Sequence, residues 1–454
     1  MRVTTMRVTT TTTEPGERPG PGHTADPSHR PSTTAPDAPS VRAAVVAVYA
    51  VFLLAGVQFA AFAARIPQVK ELLNLTAGEL GVTLLAVSAG AILGLPAAGW
   101  VAHHFGAART VLAGVLASVT ALAGVGATTQ FLHSRPLTMV GLFVAGLGIG
   151  VWDMSMNLEG ASVERAAGRA IMPRFHAAFS AGTVISALVG SGLTAAGVGV
   201  LPHLAGTSLV VLLAALWATP RFLPAGGAAH GIPEVGASDS IAYDYAAGPP
   251  ARAGLGMRAA WTERRTLLVG LVVLVAAFTE GSANDWLAVA FVDGHHLPAW
   301  AGVLAFATFL FSMTVGRIAG TALLDRYGRV RVLRATFLTA VLGSVFVVFG
   351  GPWLAFVGAA LWGVGASLGF PVGMSAGADD PTRAAARVSV ISTIGYAAFL
   401  IGPPLLGVLG DRVGVLRALL VVGLAVLLAF TALPVMREPQ PRDVALPRDA
   451  ALPN

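Results

Sequence analysis

The chain has no cysteine, one lysine (Lys70) and only 11% charged residues over 454 positions. Without cysteine, disulfides and thiolate metal sites are excluded. Soluble globular domains carry about 25% charged residues, so this balance excludes an ordinary soluble fold. Nucleotide-driven chemistry lacks its phosphate loop, because no Gly-x-x-x-x-Gly-Lys occurs, and no His-Glu-x-x-His zinc site is present either. Gly-x-Ser-x-Gly does occur twice, at Gly365–Gly369 and Gly373–Gly377. A nucleophile elbow needs a strand before a helix, and both copies lie in or at the end of an apolar run, so they read as small-residue helix packing. No enzyme activity, cofactor or metal is expected. The net charge of +6 comes from arginines scattered between apolar runs, which argues for membrane topology rather than nucleic acid.

What the chain has in quantity is apolar sequence: 55% hydrophobic residues, 54 glycines and a mean hydropathy of +0.73. Residues 1–41 are Thr-, Pro- and charge-rich, which predicts a disordered tail, as does the composition of 437–454. The opening MRVTT repeats from Met6, so either methionine can be the start. Twelve apolar runs lie between, near 43–65, 78–101, 109–128, 136–158, 173–198, 203–222, 266–291, 299–323, 331–350, 352–376, 385–409 and 414–436. Each approaches the roughly 20 residues a bilayer crossing needs. Thr76 to Glu79 forms a capping box that opens the second run.

A Gly-, Ala- and Pro-rich linker, 223–265, separates a six-run half (42–222) from a second (266–436). Glycines recur between the halves in order: Gly106 with Gly328, Gly146 and Gly148 with Gly363 and Gly365, Gly190 with Gly407. The expected fold is an all-α polytopic membrane protein, twelve helices in two pseudo-symmetric halves with a site between them. Arginines crowd the connections on the side of the termini (Arg109, Arg165, Arg169, Arg174, Arg221, Arg252, Arg258, Arg264, Arg265, Arg326, Arg329, Arg331, Arg334, Arg383, Arg387). The opposite connections hold Arg65, Lys70, Arg135, Arg412 and Arg417. That bias predicts both termini in the cytoplasm.

Glu280 falls mid-way along the seventh run, where an ionised carboxylate facing lipid costs about 2.5 kcal/mol or more. It must turn inward, pair or titrate. Asn284 shares its helix face, while Asp285 lies about 140° round and about 7.5 Å further along. Trp286 is either an interface anchor or a ligand-stacking surface. Asp153 and Asn157 sit one turn apart in the inner half of the fourth run, and His176 opens the fifth from the same side, within reach of either. Gln58 occupies the position of Glu280 in the first half. Arg317 can pair with a carboxylate or snorkel. Glu280, Asn284, Asp285, Asp153, Asn157, His176 and Gln58 are thus the candidates for binding substrate and coupling ion.

Asp325-Arg326-Tyr327-Gly328-Arg329-Val330-Arg331 resembles the cytoplasmic loop signature of the major facilitator superfamily. The resemblance gives Asp325, Arg326, Gly328 and Arg329 a gating role, the Asp capping a helix and binding Arg across the loop. The first-half copy, Gly99 to Gly106, has His103 where the Asp belongs, and a third echo, Gly407-x-x-x-Asp411-Arg412-x-Gly414, falls on the opposite side. Arg65-Ile66-Pro67-Gln68, Asp153 to Gly160, Met172 to His176 and Glu280 to Trp286 look like a bacterial, uncharacterised subgroup of the fucose-permease-like branch. The resemblance covers about Ala43 to Met436. It implies a monomeric, proton- or sodium-coupled secondary transporter of a small solute in the bacterial inner membrane, working by alternating access. Sugar-transporting members carry an acid where this chain has Ala63, so fucose is not implied. The fifth run lacks the proline of drug antiporters, which favours symport. Proton-driven efflux of amphipathic compounds and a non-transporting membrane receptor are the alternatives.

Overall fold

The computed structural model describes residues 38–223, 253–380 and 382–438. Among the described residues there is helix and turn and no strand. In the first half the helices are α1 (Ala38–Ala63), α2 (Ile66–Leu72), α3 (Ala77–Phe105), α4 (Ala107–Gln130), α5 (Arg135–Ala167), α6 (Met172–Ala195) and α7 (Val200–Ala218). A short helix, α8 (Ala253–Thr262), precedes the second half. There follow α9 (Arg264–His295), α10 (Ala299–Tyr327), α11 (Arg329–Phe349), α12 (Gly351–Ala366), α13 (Gly369–Gly377), α14 (Ala384–Val413), α15 (Val415–Ala418) and α16 (Leu420–Phe430). Eleven stretches are long and apolar enough to cross a membrane, and Val415–Phe430 is a shorter twelfth. An even number of crossings returns the chain to the end it began from, here named the terminus-bearing end; the other is the far end.

The helices overrun the apolar runs. At 33 residues α5 is about 50 Å long, well beyond the roughly 30 Å hydrocarbon layer. Two boundaries differ from the sequence expectation. Helix α1 begins at Ala38, inside the tail expected to lack structure, and α8 forms inside the expected linker. The alanines of Ala253–Thr262 supply the helix propensity that its glycines lower. The rest of the tails and of the linker, 1–37, 224–252 and 439–454, lies outside the described residues.

Where the capping box was expected it forms: Thr76 Oγ1 accepts from the Glu79 amide and Glu79 Oε2 from the Thr76 amide. The three echoed loop motifs also share one backbone turn. Gly106, Gly328 and Gly414 each end one helix and start the next at φ of 81°, 75° and 85°, a conformation that favours glycine.

Packing differs between the two ends. One buried apolar cluster draws on both halves, from Ala60, Leu84 and Leu142 to Phe291, Phe306 and Leu406. The two other clusters are each confined to one half: one contains Phe52, Trp152 and Phe175, the other Val273, Phe337 and Ile391. The shared cluster lies toward the far end and the private ones toward the terminus-bearing end. The halves therefore meet at the far end and part below it. Small residues permit the close approach: a Cβ on Gly81 would fall 2.4 Å from the Pro403 carbonyl oxygen.

Candidate functional site

Glu280 does pair. Its Oε2 accepts a 2.9 Å hydrogen bond from Arg317 Nη2 on α10, and the two side chains keep 20% and 33% of their exposure. Arg317 Nε also reaches the Ser367 carbonyl at 3.4 Å. Ser367 lies at the break between α12 and α13, where the tenth crossing unwinds for two residues. Such broken helices are tolerated at membrane depth where protein or a cavity satisfies the freed backbone groups. The tenth run reads as one continuous helix from apolarity alone. The signal for the break is Gly363, Gly365 and Gly369 followed by Pro371. A third support comes from Trp362, fully buried, whose indole N–H donates to the carbonyl of Thr279 at 3.1 Å, one residue before Glu280.

Asp285, pointing elsewhere on α9, joins Gln58 rather than Glu280. The two line a cavity of about 50 Å³ with Phe59, Phe62, Ala63 and Ile149. That volume holds a few waters at about 10–15 Å³ each. The cavity draws on both halves, Gln58 from α1 and Asp285 from α9. Gln58 is buried and its amide nitrogen lies 3.5 Å from Ser118 Oγ. Asn284 is half-buried, and its side-chain oxygen has no hydrogen-bond partner among the described residues.

Asp153, Asn157 and His176 form a separate group nearer the terminus-bearing end. Asn157 Nδ2 donates to the Asp153 carbonyl at 2.8 Å and faces its carboxylate at 3.4 Å. His176 is exposed and stands edge-on to Phe52, centroids 5.2 Å apart. It does not hydrogen-bond to Asp153. Aromatic side chains cluster in each half: Tyr49 against the fully buried Phe52 and Phe175 in the first, and the half-buried Phe370, Tyr396 and Phe399 in the second.

Three expectations need correction. Trp286 is neither an anchor nor a stacking surface: it is fully buried in the shared apolar cluster, because α9 packs on all sides at that level. Asp325 neither caps the next helix nor binds Arg329. Gly328 is that cap, and Asp325 is exposed in the last turn of α10, without a hydrogen bond or ion pair among the described residues. Arg329 instead pairs with Asp379 at 2.7 Å, which Arg265 also contacts at 2.6 Å. Arg65, counted in a far-end connection, is buried. It donates from Nε to His203 at 2.6 Å and from Nη1 to the Val198 carbonyl at 2.9 Å and to Gln68. Its charge is a packing element of the first half and carries no topology information.

The profile of the Major Facilitator Superfamily matches residues 47–403. An uncharacterized MFS-type transporter of Yersinia pestis is 29% identical over 361 residues, covering 78% of this chain and 86% of its own. Among solved structures, a variant of the nucleoside transporter NupG superposes with a TM-score of 0.68 at 13% identity, covering 87% of this chain and 99% of that one. A variant of the fucose:proton symporter FucP of E. coli superposes at 0.58 with 15% identity, over 88% of this chain and all of that one. At such identities the two structures speak for the fold alone.

Proposed function

Because this chain belongs to the major facilitator superfamily of membrane transporters, we propose that it is a proton-coupled secondary transporter of a small polar solute. The observation that carries the reading is the Glu280–Arg317 pair, set within the spans beside a helix break and left partly exposed. Ionised, Glu280 holds the guanidinium. A proton arriving on Glu280 removes the charge that holds it and frees donors that can meet solute oxygens. Asp153 lies on the route from the open end and is the second candidate for carrying the proton, with His176 and Asn157 beside it. Gln58 and Asp285, which line the cavity, would form the far wall of the solute site, with Asn284 next to Asp285 on α9.

The arginine bias supports a cytoplasmic terminus-bearing end in a bacterial inner membrane, and on that orientation the described state opens inward. The solute class is supported by the fold shared with a nucleoside transporter and a fucose:proton symporter. Ala63 lines the cavity at the position where sugar-transporting members of the branch carry an acid, which argues against fucose itself. The half-buried Phe370, Tyr396 and Phe399 would serve efflux of amphipathic compounds. The test is a stability screen of purified protein with sugars, nucleosides, acids and amphipathic drugs, since a binder raises apparent stability by mass action. Any hit then goes into proteoliposomes under an imposed pH gradient. Uphill accumulation abolished by a protonophore supports the reading; binding without flux leaves a receptor.

A further inference from the structure

The motif echo on the far side, Gly407-x-x-x-Asp411-Arg412-x-Gly414, makes a contact that its counterpart at Asp325 does not make among the described residues. Asp411 ends α14 in the second half. Its Oδ2 accepts from the Gly78 amide at 3.0 Å and from Thr76 Oγ1 at 3.2 Å, both at the start of α3 in the first half. The carboxylate thus sits on the positive end of a 29-residue helix belonging to the other half and satisfies one of its free amides. Two further observations show that the fit is built. A Cβ on Gly78 would stand 2.4 Å from Asp411 Oδ2, and a Cβ on Gly407 2.6 Å from the Ala77 carbonyl oxygen, so both helices need glycine where they meet. On the first-half side, the accepting end is rigid. Thr76 and Glu79 are locked in the capping box, and Glu79 is held by Arg135 at 3.1 Å.

We propose that Asp411 is the latch of the far-end gate: its carboxylate, docked on the N-terminus of α3, holds the two halves closed at that end and must let go before the site can open there. The same turn at the terminus-bearing end is unlatched in this state, with Asp325 exposed and unpaired among the described residues. One Asp-Arg-x-Gly turn is therefore engaged while the other is free. The pseudo-symmetric position to Asp411 in the first half is Thr194, whose hydroxyl, among the described residues, donates to the Gly190 carbonyl of its own helix. That side of the gate is closed instead by Ser191 Oγ on the Trp300 carbonyl at 2.8 Å, and Lys70 meets Asp293 at 3.0 Å nearby. Among these contacts only Asp411 sets a charge against a helix end.

The inference rests on alternating access, and the test reads access rather than transport. The absence of cysteine allows pairs of spin labels to be introduced without background. One pair, Leu132 and Trp353, spans the halves at the far end, and a second, Phe105 and Arg334, spans them at the other; all four are exposed. Asp411→Asn keeps the shape and removes the charge. Gly78→Ala keeps the charge, displaces it and favours the helix, so it guards against a folding defect in the first variant. Both should raise the ratio of far-end-open to far-end-closed molecules about fivefold, with matching closure of the second pair. Asp325→Asn should not. If Asp325→Asn moves the populations while Asp411→Asn and Gly78→Ala do not, the latch is overturned and alternating access stands. If no variant and no ligand moves either pair, both fail.

Discussion

Removing either partner of the Glu280–Arg317 pair should destabilise the protein, and removing both should restore most of the loss. At a charge separation of about 4 Å and an effective dielectric of about 20, the gross attraction is about 4 kcal/mol. Neither group is dry: 20% of the Glu280 side chain and 33% of the Arg317 side chain remain exposed. Part of the attraction is therefore offset by hydration that the separated groups recover. Stranding a fully buried partner costs about 3–5 kcal/mol, so here the expected cost is about 1–3 kcal/mol. Glu280→Gln leaves Arg317 with the Ser367 carbonyl at 3.4 Å, a weaker acceptor than a carboxylate. Arg317→Gln leaves Glu280 without the ion-pair partner it has among the described residues. Thermal unfolding in detergent of the two single variants and the double variant measures the coupling as a cycle. The expected coupling is about 1–2 kcal/mol, with the double variant melting close to the wild type. Additive losses would refute the pairing as an energetic unit. Unchanged melting in all three would show that the pair contributes nothing to the fold.

Reporter fusions within 223–262 should give a cytoplasmic signal, and a periplasmic one would invert every assignment of side. Asp325→Asn should slow transport while leaving equilibrium binding of a screened ligand within about twofold; a large loss of binding would make it part of the solute site. Glu263, outside the spans, is held below its ordinary value of 4.5 first by its hydrogen bonds from Arg387, at 2.5 and 2.8 Å. Its stabilising effect is complete above the ordinary carboxylate value and is lost as pH falls through the depressed folded value. Melting of the wild type should therefore fall between pH 5 and about pH 3 by more than that of Glu263→Gln, and parallel curves would contradict it.

The twelve crossings were legible because apolar runs and the arginines between them state a membrane fold directly. Glu280 was legible for the same reason: a carboxylate in an apolar run demands an explanation. That Arg317 answers it was one of two readings left open, since a 37-residue separation carries no geometry. Asp285 and Gln58 were singled out without any signal that they share a cavity, because that depends on how the halves close. The break at Ser367 was hidden by uniform apolarity and betrayed only by glycines and Pro371. Trp286 misled because a tryptophan beside an acidic residue suggests a helix end, whereas α9 runs on for nine residues to His295. Asp325 misled in another way: its motif describes a contact, and the state described here is one in which that contact is open.

The central claim is that Glu280 carries the coupling proton, and Glu280→Gln tests it in one preparation. The variant fixes the neutral form and keeps the shape. In proteoliposomes loaded with a ligand from the stability screen, it should exchange that ligand downhill at a rate comparable to the wild type. It should also fail to accumulate it when a pH gradient is imposed. A well-folded Glu280→Gln that still concentrates its ligand against a gradient, with the pH dependence of the wild type, would contradict the account.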